Sequence, residues 1–97
     1  MKFDELGLAP ELLEAISKLG FEEPTPVQAK VIPVLLESDS DVVALAQTGT
    51  GKTAAFGLPA LQRLDIKRAV PQTLILCPTR ELCMQIARDL QSYASSL

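Results

Sequence analysis

A chain of 97 residues is long enough for one compact domain but too short for two lobes. Hydrophobic residues make up 47% of it and charged residues 22%, a balance typical of folded globular proteins that excludes a disordered tail. Nine Lys and Arg against twelve Asp and Glu give a formal net charge of −3. The composition therefore lacks the basic excess that marks dedicated nucleic-acid-binding domains.

The first predicted helix follows Pro10. Leucines and isoleucines recur there at helical spacing, the proline has a fixed φ that suits the first turn, and Gly20 supplies a C-terminal stop. This pattern predicts a helix over residues 10–19.

A second helix is predicted to begin at Thr25. Thr25 is a candidate N-cap, Pro26 occupies the first helical position, and Gln28 completes a capping box. Pro33 lies inside this helix, where a proline removes a backbone hydrogen bond, so we expect it to kink or end the helix.

Two short apolar runs further along the chain are typical of buried strands. They are residues 41–46 (DVVALA) and 73–77 (TLILC), each followed by a predicted helix: the first over about 54–64, weakened by an internal glycine and proline, and the second over about 80–93. The order strand, helix, strand, helix predicts an α/β fold in which helices flank parallel strands joined by right-handed crossovers.

Cys77 and Cys83 are separated by five residues, and the chain has no histidine. Their spacing matches neither a zinc site nor a redox pair, so we expect reduced cysteines in the core. The N-terminus has no basic segment followed by an apolar stretch, and no apolar run approaches the ~20 residues that span a bilayer. These features favour a cytoplasmic protein.

A glycine-rich segment, Ala-Gln-Thr-Gly-Thr-Gly-Lys-Thr over residues 46–53, lies directly after the first predicted strand and before a predicted helix. This is the context of a phosphate-binding loop, whose backbone N–H groups point at phosphate oxygens. Ala46 replaces the first glycine of the general pattern but is small enough to be tolerated. The nucleotide-binding candidates in the loop are Gln47, Thr48, Gly49, Thr50, Gly51, Lys52 and Thr53.

Two residues of this loop are also candidate catalytic residues. Lys52 is expected to reach the terminal phosphates, and the Thr53 hydroxyl to bind a Mg²⁺ ion that accompanies ATP. ATP and Mg²⁺ are therefore the expected cofactors. The alternative is an ordinary turn between a strand and a helix.

Three blocks make the chain similar to the DEAD-box RNA helicases, from Phe3 to about Gln91. Residues 20–28 (GFEEPTPVQ) resemble the Q motif of that family, with Phe3 as its upstream aromatic; residues 46–53 resemble motif I; and residues 78–85 (PTRELCMQ) resemble motif Ia. The resemblance implies the N-terminal portion of an incomplete RecA-like P-loop NTPase domain. Residues 1–29 would form the Q-motif region, and 30–97 would run from the phosphate loop through motif Ia.

The resemblance also implies roles for individual residues. Gln28 would make paired hydrogen bonds with the adenine edge, Phe21 would stack on its face, and Thr25 would belong to the same site. Four residues of motif Ia would contact the sugar-phosphate backbone of RNA without reading its sequence: Pro78, Thr79, Arg80 and Glu81.

Several of these residues also have purely structural interpretations. Gln28 and Thr25 form a capping box, Thr79 is a competent N-cap, and Glu81 is a favourable first-turn charge. Phe3 is assigned to packing or to support of the motif. Capping and ligand binding can coexist at one residue.

The D-E-A-D and S-A-T segments of the family do not occur in this sequence. We therefore expect the chain to be cut before them, to need the remainder of the helicase core, and to hydrolyse ATP poorly alone. The parent would couple ATP hydrolysis to local unwinding of RNA duplexes. The alternatives are a P-loop ATPase that acts on DNA or protein, which the PTREL block disfavours, and a non-catalytic module that binds nucleotide and RNA.

Overall fold

The computed structural model describes residues 1–46, 49 and 51–97, and the predicted loop residues Gln47, Thr48 and Thr50 lie outside this part. A short 3₁₀ turn over Phe3–Glu5 precedes four α-helices: α1 (Pro10–Lys18), α2 (Pro26–Glu37), α3 (Lys52–Gln62) and α4 (Arg80–Tyr93). All four helices correspond to helices predicted from the sequence.

Two helices begin at threonines whose side chains cap them. The Thr25 hydroxyl accepts a hydrogen bond from the backbone N–H of Gln28 at 3.4 Å, and the Gln28 Oε1 accepts one from the backbone N–H of Thr25 at 2.9 Å. At the start of α4, the Thr79 hydroxyl accepts a hydrogen bond from the Leu82 N–H at 3.2 Å. The predicted capping box and the predicted N-cap are therefore confirmed.

Prolines lie inside two of the helices without ending them. Pro33 is in the third turn of α2, which continues to Glu37, and Pro59 lies near the end of α3. Pro33 was predicted to kink or end the helix, and it does not end it. Ile32, directly before Pro33, is completely buried against the rest of the chain, and Val31 is almost completely buried. This packing offsets the loss of one backbone hydrogen bond.

The core lies where the helices meet. α2 packs on α3, α3 on α4, and α1 on α4. Four aliphatic side chains are almost completely buried there: Leu12, Ile16, Ile32 and Leu58. α3 and α4 approach closely at Gly57. A Cβ atom at that position would lie only 2.6 Å from the Leu90 Cδ2 atom, which shows how little space separates the two helices there.

The predicted α/β fold with parallel strands is contradicted by the described residues, all of whose regular elements are helical. Residues 41–46 and 73–77 are irregular, and neither segment makes backbone hydrogen bonds to the other. Their apolar side chains face solvent, as Leu45 (94% exposed) and Leu76 (85% exposed) illustrate. A strand exists only when a neighbour completes its hydrogen-bond ladder, and the two runs are not each other's neighbour.

Two further observations concern the chain as a whole. The expectation of core cysteines is wrong, because Cys83 is exposed and Cys77 only partly buried, although both are free thiols as expected. Within the described part of the chain, no helix has both the length and the apolar character needed to cross a membrane.

The packing predicts that two leucines differ sharply in their contribution to stability. Leu58→Ala should lower the free energy of unfolding by about 2 to 5 kcal/mol, because Leu58 is completely buried and the change leaves a cavity. The matched control is Leu74→Ala, which should change it by less than about 0.5 kcal/mol because the Leu74 side chain is exposed. Urea denaturation followed by circular dichroism measures both. Equal losses would show that residues 73–77 are buried in solution.

Candidate nucleotide site and RNA-facing turn

The start of α3 differs from the starts of α2 and α4 because no side chain of the described residues caps it. Its N-cap is Gly51, at φ 84°, and the first turn contains no acidic residue. The first backbone N–H groups of a helix have no partner within the helix, and the helix dipole is positive at this end. This end of α3 is therefore chemically suited to an anion such as a phosphate group.

A single buried amide connects this helix start to α2. The Gln28 Nε2 donates a hydrogen bond to the Gly51 carbonyl at 3.2 Å, while the Gln28 Oε1 accepts from the Thr25 N–H. Gln28 is only 3% exposed, so both of its polar groups need these partners. The capping box and the glycine-rich turn are thereby joined into one unit.

Gly51 lies directly against the capping box of Thr25 and Gln28. A Cβ atom at Gly51 would lie 2.3 Å from the Gln28 Nε2 and 3.3 Å from the Thr25 Oγ1. A side chain would fit there only if the Gln28 amide moved out of its hydrogen bond, and the positive φ disfavours any L-residue as well. Gly51 is therefore required both for the turn and for the contact with Gln28.

Two adjoining clefts border this unit. The larger, about 880 Å³, runs between α2, α3 and α4, and Gly49, Lys52 and Thr53 contribute to its lining. The smaller, about 450 Å³, lies between the 20–25 segment and the glycine-rich turn. The smaller cleft is lined by residues of both segments and by Gln28 of α2. The lining residues include Phe21, Thr25, Gly49 and Gly51. The larger volume is within the range of small-molecule binding sites.

Aromatic rings form one wall of the larger cleft. The Phe21 ring lies between two others, with its centroid 5.9 Å from that of Phe3 and 5.9 Å from that of Tyr93, which it meets edge-on at 70°. Phe3 and Tyr93 are buried, whereas Phe21 is only partly buried. The packing role expected of Phe3 is therefore confirmed, and Phe21 is the ring of the three that retains the largest exposed surface.

The structure thus brings together most of the residues predicted to bind nucleotide. Seven border the clefts: Phe21, Thr25, Gln28, Gly49, Gly51, Lys52 and Thr53. Gln47, Thr48 and Thr50 lie outside the described residues, so their predicted roles stay predictions.

Sequence reasoning missed the contribution of α4 to the larger cleft. Gln85, Asp89 and Tyr93 line it, although the sequence analysis assigned none of them to the nucleotide site. Their four-residue spacing places them on a common face, which is the signal that could have identified them. Burial, and to a smaller extent the Asp89 carboxylate, raises the pKa of the Tyr93 phenol above its ordinary value, so the ring is neutral at physiological pH.

The predicted RNA-binding residues lie in a separate place, at the start of α4. Pro78, Thr79, Arg80 and Glu81 are all exposed and line neither of the two clefts among the described residues. The Thr79 hydroxyl accepts one hydrogen bond as the N-cap and keeps its own O–H donor. Capping therefore leaves Thr79 able to donate to a phosphate oxygen.

Comparison with known proteins identifies the family. A family model described as DEAD/DEAH box helicase matches residues 25–97. The chain therefore belongs to the DEAD/DEAH box helicase family.

Individual relatives agree with this assignment. The chain is 51% identical to the DEAD-box ATP-dependent RNA helicase CshA of Geobacillus kaustophilus over 91% of its own length and 19% of that protein. It is 52% identical to the ATP-dependent RNA helicase DeaD of Mycobacterium tuberculosis, over 98% of the chain and 17% of that protein. The chain thus spans less than a fifth of these relatives.

Solved structures share its arrangement. Dbp5 of Saccharomyces cerevisiae, bound to RNA and ADP BeF3, superposes with a TM-score of 0.95 at 42% identity, over 99% of this chain and 25% of that chain. A DEAD box protein from Methanococcus jannaschii superposes with a TM-score of 0.91 at 42% identity, over 97% of this chain and 26% of that chain.

The effect of the close contact at Gly51 on stability can be compared with that of a second glycine that lacks such a contact. Gly20 also has positive φ (89°), but a Cβ atom there would have no neighbour within 4 Å. Gly20→Ala should therefore lower the free energy of unfolding only by the backbone term, about 1 to 2 kcal/mol. Gly51→Ala should lower it by at least about 1 kcal/mol more, because Gln28 must leave its hydrogen bond to the Gly51 carbonyl. Equal losses in urea denaturation would contradict the contact between Gln28 and Gly51.

Proposed function

We propose that this chain is the N-terminal nucleotide-binding portion of an ATP-dependent RNA helicase, and that it binds ATP in the joined clefts and RNA at the start of α4. The observation that carries this proposal is the convergence of Phe21 and Gln28 with the uncapped start of α3 on one site. Under this proposal, residues 1–29 supply the base-binding part, and residues 30–97 supply the phosphate loop and the RNA contact.

The phosphates of ATP fit the start of α3. Gly51 presents a turn without a side chain, the helix start offers N–H groups that no side chain of the described residues caps, and Lys52 is exposed in the first turn with its positive charge. Thr53 has a hydroxyl at the same helix end, suited to hold Mg²⁺ together with the phosphates. When bound, Mg²⁺ would neutralise negative charge on the phosphate oxygens.

The adenine fits the smaller cleft. Phe21 offers a partly exposed ring face, and Gln28 retains hydrogen-bonding capacity. Its Nε2 has two hydrogens and its Oε1 two lone pairs, and the Thr25 and Gly51 contacts use one of each. One donor and one acceptor therefore remain for the edge of a base. The same residue can complete the capping box and select adenine.

RNA would bind the exposed turn at residues 78–81. The Thr79 O–H and the Arg80 guanidinium are donors suited to phosphate oxygens, and such contacts hold a strand without reading its bases. Coupling of ATP hydrolysis to duplex unwinding would require the remainder of the parent protein, because the D-E-A-D segment lies outside this sequence. The cytoplasmic location expected from the sequence stays a prediction.

Nucleotide binding by the chain tests the proposal directly. With Mg²⁺ present, the chain should bind a fluorescent ATP analogue more tightly than the matching GTP analogue. Lys52→Ala should weaken both by about 10- to 100-fold, because one charge-assisted contact to phosphate is lost. Gln28→Ala should bring the two affinities together. Lys67→Ala, which removes an exposed lysine of the 65–72 turn, is the control and should change neither.

Circular dichroism establishes that each variant is folded before the titration. Equal binding of ATP and GTP by the unmodified chain would refute the adenine assignment. An unchanged affinity in Lys52→Ala would refute the placement of the phosphates at α3.

RNA binding tests the turn at the start of α4 separately. Arg80→Ala should weaken binding of single-stranded RNA to a similar extent for unrelated sequences, and the logarithmic dependence of affinity on salt should become shallower by about 0.7, the value for one phosphate contact. Arg88→Ala removes the same charge two turns further along the same helix and is the control. The measurement is fluorescence anisotropy at several salt concentrations. Equal effects of the two substitutions would indicate general charge attraction and contradict a defined RNA contact at residues 78–81.

A further inference from the structure

The last residue of α3, Gln62, binds a distant part of the chain through both ends of its side-chain amide. Its Oε1 accepts a hydrogen bond from the Ala9 N–H at 2.8 Å, and its Nε2 donates one to the Gly7 carbonyl at 3.0 Å. The partners are more than fifty residues away in sequence. One side chain therefore attaches the 7–9 segment to the C-terminal end of α3.

The two ends of α3 lie at different places: its start is the proposed phosphate site, called here the phosphate cradle, and its end contacts the 7–9 segment. Lys52 begins the helix at the phosphate cradle, and Gln62 ends it at the attached segment. Eleven residues of α-helix form a rod of about 16 Å. The helix thus sets the distance between the phosphate cradle and the 7–9 segment that Gln62 binds.

Gln62 holds the segment that leads to Phe3. Phe3 lies four residues before Gly7, is 5% exposed, and packs in the same core cluster as Leu58 of α3. Its ring contacts the ring of Phe21, the proposed partner of the base. A continuous set of contacts therefore runs from Gln62 through the 7–9 segment and Phe3 to the wall of the base site.

We infer that Gln62 is a positioning residue for base binding: by fixing the 7–9 segment on α3, it sets the place of the Phe3 and Phe21 rings relative to the phosphate cradle. This inference rests on the proposed function and extends it to a residue outside the clefts. Gln62 touches no nucleotide in this arrangement and acts through Phe3 and Phe21.

A purely structural role for Gln62 would have different consequences. Leu6 and Leu8 are buried and hold the N-terminal segment to the core independently of the amide, so loss of Gln62 should shift this segment without releasing it. Loss of stability alone would affect every ligand alike. Loss of positioning would affect a ligand with a base and spare a ligand that consists only of phosphates.

The test compares ADP with inorganic pyrophosphate, both with Mg²⁺, in isothermal titration calorimetry on the folded chain. Gln62→Met keeps the length of the side chain and removes both hydrogen bonds. It should weaken ADP binding about three- to tenfold, the effect of one or two lost hydrogen bonds, and leave pyrophosphate binding unchanged. Gln62→Glu keeps an acceptor for the Ala9 N–H and removes the donor to Gly7, so its effect on ADP should be smaller.

Gln72 provides a matched control. Its amide also binds backbone on both sides, accepting from the Asp65 N–H at 2.9 Å and donating to the Asp65 carbonyl at 2.8 Å, but within an exposed local turn. Gln72→Met removes equivalent hydrogen bonds away from the aromatic rings. It should change neither affinity.

Tyr93 supplies a spectroscopic readout that does not depend on ligand. It is the single tyrosine of the chain, there is no tryptophan, and its ring contacts Phe21 edge-on. The near-ultraviolet circular dichroism of Tyr93 should therefore change in Gln62→Met and stay the same in Gln72→Met, at temperatures where both are folded.

The possible outcomes distinguish failure of the inference about Gln62 from failure of the proposed function. If the unmodified chain binds ADP more tightly than pyrophosphate and Gln62→Met keeps that difference with an unchanged Tyr93 signal, the inference is refuted while the proposed function stands. Equal weakening of both ligands would also refute it, in favour of a structural role. If the unmodified chain binds ADP no more tightly than pyrophosphate, which has the same two phosphates without a base, the base site itself is refuted and the inference with it. Should Gln62→Met fail to fold, Gln62→Glu decides by the same criteria.

Discussion

The arrangement of the candidate site depends on one buried amide. Gln28 is the only buried polar side chain among the described residues, and each end of its amide has a backbone partner. A buried polar group without partners is costly, so Gln28 fixes the position of α2 relative to the N-cap of α3. Gly51 makes this possible because it has no side chain in the space that Gln28 occupies. The parts proposed to bind the base and the phosphates are consequently one rigid unit, although they are separated in sequence.

Capping chemistry and proposed binding chemistry occur at the same residues, and the structure shows why they are compatible. Thr79 caps with an acceptor and keeps a donor, whereas Gln28 has two donors and two acceptors and uses one of each. α3 is the complementary case: its N-cap is a glycine, and no described side chain occupies its first N–H groups. Side-chain caps stabilise the starts of α2 and α4, whereas the start of α3, like that of α1, has no side-chain cap among the described residues; at α3 the proposed ligand is a phosphate group.

The helices could be predicted from the sequence because their signals are local. Thr25, Pro26 and Gln28 specify a helix start within four residues, and that start is present. The contact between Gln62 and Gly7 joins residues 55 apart, and no short pattern encodes it. The parallel strands were predicted from apolar runs that are equally local, but a strand depends on a distant partner, and that prediction was wrong. Most residues of the candidate site could be identified from the sequence because they lie at or near helix ends. The face of α4 that completes the larger cleft was missed.

The distinction between local and distant contributions also determines which activity the chain can have alone. The proposed contacts with ATP and RNA come from helix starts, from the Gln28 amide, and from residues of the connecting segments such as Phe21. The four packed helices keep the arrangement seen in chains about four times as long, with TM-scores above 0.9, although residues 41–46 and 73–77 expose apolar side chains. The proposed binding residues all occur in this sequence, whereas hydrolysis needs groups that orient water and stabilise charge in the transition state, and the D-E-A-D segment expected to supply them does not occur in it. We therefore expect the chain alone to bind ATP without hydrolysing it efficiently.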